Sequence, residues 1–143
     1  MDGTHQAILS IDAENEIKGF IGTHRPRLAI QCHDGKPEVF VNVGKPVQSE
    51  YGQYGSSGVR IKLDTAAPAR QRWTESTDNV ALFSPTPTKL IRQLATADVF
   101  LFEFTPFQET ETTVKFNVTG LTPYLMKVAN VCGITLTTNP PTH

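Results

Sequence analysis

Long apolar runs are missing from this chain. Stretches such as "VFLFEF" at 99–104 fall far short of the roughly 20 residues that cross a bilayer as a helix. No transmembrane segment is therefore expected. Charge of one sign is missing too: 13 Lys and Arg stand against 14 Asp and Glu, a net charge of −1. The basic field that non-specific nucleic-acid binding needs is not there, and no nucleic-acid partner is expected. Cysteine is scarce, with only Cys32 and Cys132. They show no Cys-x-x-Cys spacing and no flanking histidine pattern, so neither a zinc site nor any other metal or cofactor is called for. Aromatic residues make up 8% of the chain and include a single tryptophan, Trp73.

The beginning, "MDGTHQAILS", lacks the basic start and apolar stretch of a secretory signal. Either the chain is cytosolic, or Met1 stands where a signal has been removed. An even cysteine count in a small domain favours the second reading, because it is compatible with one disulfide in an oxidising compartment. Two free buried thiols remain the other reading. With 143 residues, the chain is long enough for one domain with its own core. Residues 1–136 are expected to form it, with 137–143 ("TTNPPTH") as a flexible tail.

Alternation and β-branched content predict strands at 6–12, 26–33, 38–43, 59–64, 70–76, 80–83, 99–104 and 112–118. "DGK" at 34–36 marks a hairpin turn. Two helices are expected. One spans 86–97, with Thr86 as N-cap and Pro87 in the first turn. The other spans 121–133 and repeats that arrangement with Thr122 and Pro123, with Gly133 as its end. The fold class is thus α+β, a mostly antiparallel sheet (a sandwich or an open barrel) carrying two short helices. Leu28, Ile30 and Cys32 share one strand face, and Cys132 falls at core spacing in the last helix. Both thiols are expected to point inward.

The ordered series "RPRLAIQCHDGKPEVFVNVGKPV" (25–47), "VRIKLD" (59–64), "RWTESTDNVALFSP" (72–85), "LIRQLATADVFLFEFTPF" (90–107), "VKFNVTGL" (114–121) and "VCG" (131–133) resembles the TagO/VasI family. Members of that family are accessory proteins of bacterial type VI secretion. The resemblance covers about residues 6–134. It implies a periplasmic, non-enzymatic domain whose partner is a protein of the secretion apparatus or another cell-envelope component. It also implies that Cys32 and Cys132 pair. This chain departs from many relatives in carrying Ile134, not tryptophan, after the final "CG".

A contact surface can be sought by strand parity. If 59–64 pairs with 70–76, then Arg60, Lys62, Arg70 and Arg72 share one wet face. That patch suits an acidic partner or an anionic glycan. The plainer reading is a solvated face balanced by Asp64, Glu75 and Asp78. A second function class, a module binding a small molecule or a cell-wall glycan, would need a concave pocket lined by Tyr51, Tyr54 and Trp73. Tyr51 and Tyr54 lie in the Gly/Ser-rich loop 48–58, and Trp73 alternates toward the core. A hydrolase would need His24 or His33 beside a serine and a carboxylate, since His5 and His143 fall in tails. Asp12, Glu14 and Glu16 recur at every second position, as a calcium site would like, but within a turn-like segment.

Overall fold

The computed structural model describes residues 6–19, 21–49 and 55–136. Residues 50–54 with Tyr51 and Tyr54, His5, and the expected tail at 137–143 with His143 lie outside the described residues.

Among the described residues ten strands and two helices follow one another. The strands are β1 (Gln6–Asp12), β2 (Ile17–Lys18), β3 (Thr23–His24), β4 (Arg27–His33), β5 (Lys36–Asn42), β6 (Ser56–Leu63), β7 (Ala69–Glu75), β8 (Ala81–Phe83), β9 (Val99–Phe104) and β10 (Thr112–Asn117). The helices are α1 (Pro87–Ala95) and α2 (Thr122–Cys132). Eight strands form one antiparallel sheet in the order β1-β4-β5-β8-β7-β6-β9-β10, and β2 pairs with β3 alone. The fold is α+β and mostly β, as the alternation predicts. The β2–β3 hairpin is new, since two-residue strands are too short to show a period.

One sheet, not two facing sheets, encloses the core, because its ends are joined. With eight antiparallel strands in line, β1 and β10 run in opposite directions, so they can meet as neighbours. Just past β1, the Glu14 N–H donates to the Lys115 carbonyl (2.8 Å). The Asn15 side chain then mimics a strand: its Nδ2 donates to Thr113 O (3.1 Å), and its Oδ1 accepts from Lys115 N–H (2.9 Å). Arg25 holds this segment in place by donating to the carbonyls of Ala13 and Glu14 (3.1 and 2.6 Å). The sheet is an open barrel closed over part of its seam.

Inside lie Leu28, Ile30, Val39, Val41, Val59, Ile61, Leu82, Phe100, Phe102, Phe116 and others in one contiguous cluster. These are the alternate residues of each strand, which is why period-two reading finds them. Trp73 is fully buried among them, 4.9 Å from the Phe102 ring, with its indole N–H donating to Gln71 Oε1 (2.7 Å). Helix α2 packs on β1 and β4 through Leu125, Val128 and Ala129. Helix α1 packs on β5 and buries Leu90, Ile91 and Leu94. Thr86 occupies the N-cap position of α1, yet its side chain makes no capping bond. In α2 the cap falls on Leu121, and the Thr122 hydroxyl donates instead to Ala95 O (2.6 Å), tying the start of α2 to the end of α1. Gly133 ends α2 at φ +68°, a conformation that favours glycine.

Candidate functional site

Cys32 on β4 and Cys132 at the end of α2 form a disulfide, with Cα atoms 5.7 Å apart and 100 residues between them. The bridge fixes the last helix against an early strand.

Strand β6 does pair with β7, and the four predicted cations share the outward face of that pair. Register sets their neighbours. Arg60 lies directly opposite Arg70 on one side and opposite Glu103 of β9 on the other. Lys62 faces Leu101, and Arg72 faces Gly58. Opposed residues in an antiparallel pair have Cβ atoms about 5 Å apart, where like charges repel. Arg60 is relieved by an ion pair with Glu103 (2.8 Å), whose side chain is only 18% exposed. No ion pair is seen for Arg70 or Lys62 among the described residues. Shallow depressions flank the row. One, of about 110 Å³, touches Arg60, Lys62, Leu101 and Glu103; another, of about 190 Å³, touches Gly58, Arg70 and Arg72.

The balancing acids expected from the sequence turn elsewhere. Glu75 shares the inward parity of Trp73. It accepts from Ser49 Oγ (2.7 Å) and Asn79 Nδ2 (2.9 Å), and it lies 2.9 Å from the buried Ser57 hydroxyl, which also faces Gln48 O. Asp64 accepts from the backbone N–H groups of Asp98 and Val99. Asp78 accepts from the Ser76 hydroxyl (2.6 Å), and that bond is the main cause holding its carboxyl below the ordinary 3.8.

Trp73 must be withdrawn from the contact surface. It is wholly inside the barrel, and Tyr51 and Tyr54 lie outside the described residues. The three spaced carboxylates separate as well. Asp12 pairs with Arg27 (3.0 Å), Glu14 approaches Lys115 (3.9 Å), and Glu16 accepts from the Thr23 hydroxyl (2.7 Å). No metal-binding cluster is found among the described residues. His33 contacts Asp34 (3.3 Å) on the exposed end of the β4–β5 hairpin. The half-buried His24 hydrogen-bonds through Nε2 to the Val43 carbonyl. Among the described residues neither histidine is brought to a serine.

Two polar groupings escape sequence reading. One is the Glu75–Ser49–Asn79 knot, which strict parity with Trp73 could have placed inside. The other surrounds Lys45, a lysine in a "GKP" turn whose burial to 6% exposure has no local signal. Among the described residues no helix is long and apolar enough to cross a membrane. What fold and site define is a disulfide-bonded antiparallel barrel bearing a cationic strand pair. No family model, no curated protein and no solved structure matches the chain.

Proposed function

We propose that this domain is a non-enzymatic accessory or interaction module of the bacterial periplasm, associated with type VI secretion. We further propose that it docks an acidic protein partner through Arg60, Lys62, Arg70 and Arg72. The observation that carries the docking reading is the direct opposition of Arg60 and Arg70, with only Glu103 among the described residues to offset them. Stability alone disfavours that juxtaposition, whereas an acidic surface laid across the strands relieves it. A broad face with shallow depressions suits a protein better than a small ligand, whose sites are concave. The Cys32–Cys132 bridge supports an oxidising compartment, where such bonds persist. The link to secretion rests on the ordered resemblance alone. With Trp73 inside the barrel, no observation favours an aromatic glycan pocket.

The docking test uses poly-L-glutamate as probe and Lys62→Glu/Arg70→Glu as the variant. Binding by the unaltered domain should weaken steeply with salt, and the variant should lose most of it. Equal binding by both proteins rejects the face. The secretion link is tested separately, by complementing a deletion strain with the same two proteins. Full secretion without the domain removes that assignment.

A further inference from the structure

Lys45 is the one charged residue buried among the described residues. Its Nζ donates to Lys18 O (2.6 Å) and Glu109 Oε1 (2.9 Å). An ammonium has three donors, and the third finds no acceptor among the described residues. A buried donor left bare is costly, so it calls for a partner. Beside it lies a cavity of about 150 Å³, lined by Gly19, Lys45, Pro46, Phe107 and Glu109. Glu109 brings a second oxygen, Oε2, that has no donor among the described residues. Phe107, half exposed, supplies an apolar wall.

The backbone around this cavity is closely packed. The His24 ring fills the slot between Gly19 and Gly44, where an added Cβ would come within 2.8 and 2.5 Å of it. Gly44 also holds φ +72°, and the Phe107 N–H donates to Pro46 O (3.0 Å). The backbone on either side of Lys45 is thereby held in place.

The charges select the ligand class. A carboxylate or phosphate would meet the Glu109 carboxylate, and an amine would meet the Lys45 ammonium. A neutral group that both accepts and donates fits each. We propose that this cavity binds a secondary amide: its carbonyl accepts from Lys45, its N–H donates to Glu109 Oε2, and its methyl or adjoining carbon rests on Phe107. Such a group can come from an N-acetylated sugar or from an acetylated or peptide chain. The cavity shares no residue with the cationic face, so the two readings stand or fall separately.

The test is an amide-shift titration by NMR of the whole chain with three probes: N-acetylglucosamine, N-acetylglycine N-methylamide, and glucose. One of the two acetamides should shift Gly19, Gly44, Phe107 and Glu109 saturably, glucose should not, and the responding probe names the source. Phe107→Ala and Glu109→Gln, checked for an unchanged melting midpoint, should each weaken binding roughly tenfold, equivalent to about 1.4 kcal/mol. Equal shifts with glucose, no shifts with either acetamide, or unaltered affinity in both variants overturns the proposal. Shifts confined to Arg70 and its neighbours also overturn it, and would assign the probe to the other face.

Discussion

Breaking the bridge is the perturbation whose size can be worked out most fully. It closes a loop of 100 residues. On the chain-entropy account, opening such a loop restores about 4.7 kcal/mol of freedom to the unfolded chain at 25 °C. Without the bridge, α2 is held by its own burial. Leu125 and Val128 are essentially inaccessible, and each such side chain contributes about 1.5–3 kcal/mol. The hydrophobic hold is thus comparable to the covalent one, and α2 should stay docked in the reduced protein. For a chain of 143 residues the unfolding entropy is roughly 0.3 kcal/mol/K, so the loss corresponds to a fall in midpoint of about 15 °C. Calorimetry with and without dithiothreitol, and of Cys32→Ala/Cys132→Ala, should show one cooperative transition displaced by that amount. Amide exchange should show α2 still protected. A midpoint within a few degrees of the oxidised protein would refute the reasoning, and so would a separate early transition from α2. Alkylation of two thiols in the native, unreduced protein would remove the bridge from the argument altogether.

Four further outcomes follow from particular contacts. Asn15→Ala removes both side-chain bonds that close the seam, at about 1–3 kcal/mol in total, and faster amide exchange should appear at Lys115. Trp73→Ala should cost about 3–5 kcal/mol by denaturant melts, and the native single-tryptophan emission should be blue-shifted relative to the unfolded chain. Gly44→Ala should destabilise more than Gly35→Ala in the same melts. Both glycines have positive φ, but only at Gly44 does a Cβ meet the His24 ring. The Asp78 carboxyl titrates below its ordinary 3.8 chiefly because the Ser76 hydroxyl donates to the ionised form. Its stabilising effect is therefore present above that value and fades as pH falls through the lower folded value. Asp78→Asn should show a flatter acid limb.

Strand positions were legible because their side chains alternate between core and solvent, as Val59, Ile61 and Trp73 do. The shared outward face of Arg60, Lys62, Arg70 and Arg72 followed from the same parity, but the direct opposition of Arg60 and Arg70 is a matter of register, which parity does not give. The choice between sandwich and barrel was not legible, since it turns on Asn15 acting as a piece of strand nearly a hundred residues from Thr113. Nor was the Arg60–Glu103 ion pair on the cationic face. Register alone places Glu103 opposite Arg60, while Glu75 follows Trp73 inward. Lys45 is hidden for a similar reason: its partners, Lys18 and Glu109, lie 27 and 64 residues away.

The seam bonds join Glu14 and Asn15 to Thr113 and Lys115, and the sulfur bridge joins Cys32 to Cys132, so neither can form before those distant segments are both present. Strand β1 must wait for β10 and α2 before the cylinder shuts, so the barrel stays ajar until the residues up to Cys132 are present. Pairing within the chain is thereby a late event, and a truncated product lacking α2 would carry an unpaired thiol at Cys32, open to exchange with other thiols.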